Sequence, residues 1–291
     1  MQRFDWAQVR SYWETHGKLW RDAANARDVD ALQNVCLPHE PLWLNEHIGR
    51  IQRLQFRRML KRLPKPGPDA RALDVGCGSG RWSALLSENG YRVTGIDLQE
   101  SLVELNRRRY PHITFHCGPA QECPDRGPYD LINHVSVVQH LPFDQQDILI
   151  AGFRSMMKPG GCVLALEDVR SQGPHVFANT IAGWIGRFGR AGFECLTVRR
   201  YDYSLVRMGF YGAMGAAGRL RGSRSSEQLK PESFGHFDSP ASAANPGGLL
   251  RRMRRGLLRC AVWGDDLVEP MLVRLNPSIS SCHCAFIFRA K

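Results

Sequence analysis

No apolar run in this sequence approaches the roughly 20 residues that a bilayer-spanning helix requires. The first residues, Met1-Gln2-Arg3-Phe4-Asp5-Trp6, lack the apolar core of a secretory signal. No C-x-x-C pair occurs, and Cys282-His283-Cys284 does not have zinc-ligand spacing. The nine cysteines are scattered and odd in number, which argues against a disulfide scaffold. These absences together lead us to expect a soluble, cytoplasmic chain with reduced thiols and no bound metal. No internal repeat is visible. Acid is the scarcer charge, 28 residues against 39 basic ones, and the net +11 favours anionic partners without naming one.

The most informative stretch is Ala72-Leu73-Asp74-Val75-Gly76-Cys77-Gly78-Ser79-Gly80, followed by Tyr91-Arg92-Val93-Thr94-Gly95-Ile96-Asp97. It reads as a buried strand, a glycine-rich turn, a helix, a second strand and an acid at that strand's end. The glycines let the backbone turn sharply and approach a ligand closely. An acid about twenty residues further on stands where a carboxylate grips a ribose diol. A dinucleotide site would want G-x-G-x-x-G, with a pyrophosphate on the helix N-terminus. Here the glycines run G-x-G-x-G, and Arg81 occupies the place of the third dehydrogenase glycine. The spacing suits a nucleoside ligand without a pyrophosphate.

From Arg71 onward, strands and helices alternate. Strands are expected at Ala72–Val75, Arg92–Ile96, Ile113–His116, Tyr129–His134, Cys162–Glu167 and Phe193–Val198, with a last one at His283–Arg289. Helices are expected at Trp82–Asn89, Ser101–Arg109, Gln145–Met157 and Phe177–Ala191. Short strands without polar alternation indicate a parallel sheet covered on both faces. Residues 1–66 read as a helical N-terminal cap ended by Pro64-Lys65-Pro66-Gly67-Pro68, because proline donates no amide hydrogen and restricts its predecessor. The core then spans 67–202, an insert 203–281, and the final strand 282–291. The insert contains a loop-like stretch at Ser233–Gly248 and a basic amphipathic helix at 249–259. That helix reads as packed on the core, with surface contact to a membrane or carrier as the alternative.

The segment 72–80 resembles motif I of the class I S-adenosylmethionine-dependent methyltransferases. Further family marks follow in order: Tyr129-Asp130-Leu131-Ile132, Val138-Gln139-His140-Leu141, Lys158-Pro159-Gly160-Gly161 and Ala191-Gly192-Phe193. The resemblance covers most of 68–202 plus 283–291. It implies an α/β, doubly wound, seven-stranded Rossmann-like fold with S-adenosylmethionine as cofactor. On that resemblance Asp74, Gly76, Cys77, Gly78 and Gly80 line the methionine end of the cofactor. Asp97 accepts both ribose hydroxyls and Leu98 packs on adenine, while His134 and Val135 line the site near the sulfur. Where the family often has G-D-A, this chain has Gly118-Pro119-Ala120-Gln121, so adenine recognition falls to the backbone near Ala120 or to the Gln121 amide. Arg81 either meets the cofactor carboxylate or faces solvent.

A hydroxyl acceptor needs a base, and histidine has a suitable pKa. His140 is the better placed candidate and His134 the second, and packing or capping is the alternative for His140. The stretch Asn133-His134-Val135-Ser136 lacks the Asn-Pro-Pro-Tyr pattern of many nucleic-acid amino-methylating enzymes, so nucleic acid is disfavoured. The expectation is methylation, at oxygen or nitrogen, of a small molecule in bacterial secondary or lipid metabolism, with the net charge favouring an anionic one. The alternatives are RNA or protein methylation, and cofactor binding without methyl transfer.

Overall fold

Strands made of aliphatic residues on both sides must be covered on both sides, and the architecture follows from that requirement. The computed structural model describes residues 5–23, 42–170, 172–173, 176–202, 260–268, 271 and 283–291. Strands β1 (Arg71–Val75), β2 (Arg92–Asp97), β3 (Thr114–Cys117), β4 (Tyr129–Val135) and β5 (Met157–Asp168) run parallel. A small antiparallel pair, β6 (Gln172–Gly173) and β7 (Val176–Phe177), stands apart from them. The main sheet is completed by β8 (Phe193–Tyr201) and by β9 (His283–Ala290), which inserts antiparallel between β5 and β8. The order is β3-β2-β1-β4-β5-β9-β8. Chain direction across the sheet reverses between β1 and β4, and ligands of such sheets bind in the crevice at that switch point, beyond the strands' carboxyl ends.

Helices α2 (Leu42–Leu60), α3 (Arg81–Glu88) and α4 (Glu100–Arg109) cover one face. Phe56, Met59, Trp82, Leu86 and Val103 from these helices join Leu131, Leu164 and Ile287 of the sheet in one buried cluster. Helices α5 (Phe143–Met156) and α6 (Ile181–Arg190) cover the other. There Ile150, Phe153, Trp184 and Phe188 join Ile132, Val163, Phe286 and Phe288. Helix α1 (Trp6–Ala23) does not lie on a face. Its Trp13 meets the edge of the His140 ring with centroids 4.8 Å apart, and its Arg10 acts electrostatically on Cys117 at the end of β3. It therefore crosses the carboxyl ends of β3 and β4.

Three sequence expectations change. Helix α2, expected in a cap, belongs to the layer on the sheet. Its apolar stripe was visible in sequence, but a stripe does not say which apolar surface it meets. The helix expected from Phe177 begins at Ile181, because the Thr180 hydroxyl caps it by accepting from the Gly183 amide at 3.0 Å. The strand expected at Cys162 starts at Met157, across a register shift in which Tyr129 pairs with Met157 and Leu131 with Cys162.

Of the insert, helix α7 (260–268) is described. It turns its acids inward, onto α2 and β8. Asp265 Oδ2 lies 2.7 Å from His47 Nε2, both side chains fully buried. Asp266 accepts from Gln55 at 3.0 Å, from Arg199 at 3.2 Å and from Arg58. The loop-like stretch Ser233–Gly248 and the basic segment 249–259 lie outside the described residues. None of the described helices is long and apolar enough to cross a membrane.

The α6 layer yields a stability prediction. Phe188 is fully buried and stacks on Phe288 at 3.9 Å between centroids. Replacing Phe188 with Ala should lower stability by about 3–5 kcal/mol, read from urea unfolding. A loss under 1 kcal/mol would contradict the packing described.

Candidate active site

The sheet delivers three backbone turns to its switch point. After β1 the chain turns through Gly76, Gly78 and Gly80, with φ of 64°, 53° and 76°. L side chains rarely adopt such values. The Gly76 amide donates to the Ile96 carbonyl at 2.8 Å and the Cys77 amide to the same oxygen at 3.1 Å, which binds this turn to β2. A side chain at Gly76 has no room, since a Cβ there would lie 2.4 Å from a methyl of Val137. Val137 comes from the turn after β4, so the two turns form one wall.

At the end of β2 the half-buried Asp97 carboxylate is held by backbone. Gly78 N–H donates to Oδ2 at 2.8 Å and Gln99 N–H to Oδ1 at 2.9 Å. Each oxygen keeps acceptor capacity for a further hydroxyl. Burial raises the Asp97 pKa, against the opposing pull of the Gln99, Gly78 and Leu98 amides. Leu98 is half-buried beside it, and its carbonyl accepts from the Cys117 thiol at 3.6 Å. The Gly118 amide donates to the Asp97 carbonyl at 2.9 Å and brings the turn after β3 alongside. That turn carries the buried Ala120 and then Gln121, whose Oε1 is buried without a hydrogen-bond partner, as is Gln99 Oε1.

The glycine cradle, the carboxylate with spare acceptor sites and an orphaned amide oxygen nearby suit an adenosine ligand. The carboxylate matches a diol, and the Gln121 oxygen matches an exocyclic amino group, where the family's usual acid is replaced by Pro119. Among the described residues no cluster of His, Cys, Asp or Glu is arranged to hold a metal ion. The Cys77 thiol in the glycine turn is buried, and burial pushes its pKa well up, so it lines the turn as a neutral group.

Four sequence-derived residues are not where their expected roles put them. Asp74 is turned into the fold, 1% exposed, accepting from Ser83 Oγ and Asn133 Nδ2 at 2.6 Å each. It ties β1 to α3 and β4, and its effect on a ligand at the turn is indirect. Arg81 is 5% exposed and lies against α2, donating to Gln52 Oε1 at 2.7 Å, with its guanidinium over the Trp82 ring. It does not face solvent. His134 has no exposure, and its ring stacks with Phe153 and Phe188 in the α5–α6 layer while Nδ1 donates to Glu167 Oε1 at 2.7 Å. A ring sealed in that layer does not reach an acceptor, so His134 is a core group here. Val135 is 3% exposed and packs in the opposite layer, the one that also holds Cys77.

His140 differs from His134. It is half-buried, ends the short helical turn Val138–His140 beyond β4, and lies under Trp13 of α1. It has the partial exposure that a base acting on an acceptor requires. The sequence reading missed Glu167, which is fully buried and organises the turn carrying Val137 and His140. An acid at the end of a hydrophobic strand was the available signal.

A cleft of about 170 Å³ lies at the other end of the sheet, lined by Leu63, Lys65, Tyr91, Asp130, Lys158 and Cys162. Lys158 Nζ is paired there with both Asp130 oxygens at 2.9 and 2.8 Å. It is remote from the glycine turn.

Asp74 provides a pH test. Burial pushes its pKa up to about 6, against the two hydrogen bonds that favour the charged form. The folded state thus holds this proton more tightly than the unfolded chain, whose carboxyl titrates near 3.8. Stability is therefore lost as pH rises from about 4 to about 6, at about 1.4 kcal/mol per pK unit of elevation. In urea unfolding at several pH values, wild type should lose stability relative to Asp74→Asn over that window. A constant difference would contradict the assignment.

Residues 72–161 match the model of a methyltransferase domain. The demethylmenaquinone methyltransferase of Chlorobaculum parvum is 28% identical over 145 residues, 46% of this chain and 56% of its own. The chain spans about half the length of the curated relatives it matches. Among solved structures, the [4+2]-cyclase SpnF aligns over 97% of this chain and 95% of its own, at TM-score 0.56 and 17% identity. The magnesium protoporphyrin IX methyltransferase of Synechocystis, crystallised with S-adenosylhomocysteine, aligns over 68% of this chain and 94% of its own, at TM-score 0.54 and 18% identity. The structural likenesses establish the fold, and residues 72–161 are similar to a methyltransferase domain.

Proposed function

We propose that this protein transfers a methyl group from S-adenosylmethionine to a small-molecule acceptor. The observation that carries the reading is the Asp97 carboxylate, held by the Gly78 and Gln99 amides beside a turn that admits no side chain at Gly76. Asp97 would accept the two ribose hydroxyls, because two hydroxyls on one carboxylate form charge-assisted hydrogen bonds. Leu98 would pack on the adenine and Gln121 Oε1 would accept from its amino group. The backbone of Gly76–Gly80 would pass close to the methionine end, with the N-terminus of α3 behind it.

When bound, the cofactor supplies a methyl on a sulfonium, a leaving group that needs no further activation. The protein's part is therefore to hold the acceptor in line and exclude water. Helix α1 over the strand ends would provide that cover. For a hydroxyl acceptor, His140 would take the proton onto a ring nitrogen as the oxygen attacks. A covered site suits a compact acceptor better than RNA, and similarity to relatives named for demethylmenaquinone and magnesium protoporphyrin IX supports a small molecule. The net charge of +11 favours an anionic one. Methylation at oxygen or nitrogen are the two forms this chemistry takes here.

A second reading is favoured by one observation. One of the solved structures that align over nearly the whole chain is named for a cyclisation. Binding of the cofactor without methyl transfer is that reading.

One measurement tests the site and a second separates the readings. Replacing Asp97 with Ala should weaken S-adenosylhomocysteine binding at least tenfold in calorimetry, about 1.4 kcal/mol or more. Unchanged affinity in a folded variant would overturn the site. S-adenosylhomocysteine release from S-adenosylmethionine, assayed with phenolic, quinol and tetrapyrrole acceptors, is expected for at least one of them. Tight cofactor binding with no turnover on any would favour the second reading.

A further inference from the structure

Glu167, the last residue but one of β5, carries a carboxylate that has no exposure to water. A buried charge is retained only where its oxygens are fully engaged. Here Oε1 accepts from His134 Nδ1 at 2.7 Å and from the Val137 and Val138 amides at 3.1 Å each, and Oε2 accepts from the Gln139 amide at 3.1 Å. Three consecutive backbone amides of the turn after β4 thus converge on one side chain. The turn is closed on its other side as well, because Gln139 Oε1 accepts from the Asp168 amide at 2.6 Å and the Ser136 amide donates to the Leu166 carbonyl at 2.7 Å. Ser136 sits at φ 55°, a left-handed conformation that a serine adopts at a cost and keeps only where its surroundings hold it.

The clamp acts at a distance. Val137, whose amide Glu167 holds, presses its methyls on the space above Gly76. His140, one residue beyond the clamped amides, is carried by the same turn. We infer that Glu167 is a positioning residue for the cofactor site: it fixes the turn after β4 so that Val137 walls the glycine turn at Gly76 and His140 faces the strand ends. His134 serves the same clamp, as a fourth donor to the carboxylate rather than as a base. The inference deepens the reading of the glycine turn as the cofactor site and rests on it.

The test uses the full chain and S-adenosylhomocysteine as the probe. Glu167→Gln keeps the volume but offers one acceptor oxygen where the turn requires two, so part of the amide set loses its partner. Affinity measured by calorimetry, well below the melting temperature, should fall at least tenfold. Ile150→Val, in the same apolar layer, should lower the melting temperature yet leave affinity within twofold, which separates positioning from general destabilisation. Val137→Ala leaves the clamp intact and removes the wall, and its affinity should fall at least threefold. In the double variant the two losses should be less than multiplicative, because both act through one turn. If Glu167→Gln does not fold, Glu167→Asp, whose shorter side chain withdraws the carboxylate from the amides, takes its place with the same expected loss. A folded Glu167→Gln, or in its place Glu167→Asp, that binds within twofold of wild type overturns the inference and leaves the cofactor site standing. Wild-type protein that binds no S-adenosylhomocysteine overturns both.

Discussion

Everything at the candidate site depends on one position having no side chain. Gly76 stands where β1 ends, its amide is bonded to the Ile96 carbonyl of β2, and the space its Cβ would occupy is filled by Val137 from beyond β4. Three strand ends meet only because this residue takes up so little room. With a positive φ as well, the position is closed to other residues on two independent grounds. The Asp97 carboxylate, the turn carrying Gln121 and the turn carrying His140 are all arranged around that junction.

Polar groups in the interior divide between architecture and the candidate site. Asp74 and Glu167 are both buried acids at strand ends, and both spend their hydrogen bonds on the protein itself. Asp97 differs in being half-buried, with one backbone donor on each oxygen and acceptor capacity left over. That difference in saturation, more than residue type, distinguishes a group that holds the fold from one that can hold a ligand. Gln121 belongs with Asp97 by the same criterion, since its buried oxygen has no partner.

The sheet was legible in the sequence because buried parallel strands are short aliphatic runs and the glycine turn marks where the first one ends. Seven strands were expected in the main sheet and seven are present among the described residues, with ends displaced by a few residues. The direction in which a side chain points was not legible. A strand covered on both faces carries no alternation, so nothing in Asn133-His134-Val135 says that His134 enters the α5–α6 layer while Val135 enters the opposite one. Asp74 was misread for a related reason, as its partner Asn133 is 59 residues away and β1–β4 pairing is what unites them. The start of α6 was legible in principle, since Thr180 is a capping residue at the correct place. Glu167 was overlooked because the pattern marks β5 as a buried strand, and the amides it serves become neighbours only when β4 and β5 align.

The central claim is that the crevice at the ends of β1, β2 and β4 is where an adenosine-bearing cofactor sits. Hydrogen–deuterium exchange with and without S-adenosylhomocysteine tests it directly, because backbone amides do the holding. Added ligand should slow exchange at residues 76–80, 97–99 and 118–121 and at the turn 136–140, and leave 63–67 and 158–161 unchanged. Protection confined to the latter pair of segments, which line the cleft at the opposite end of the sheet, would contradict the account.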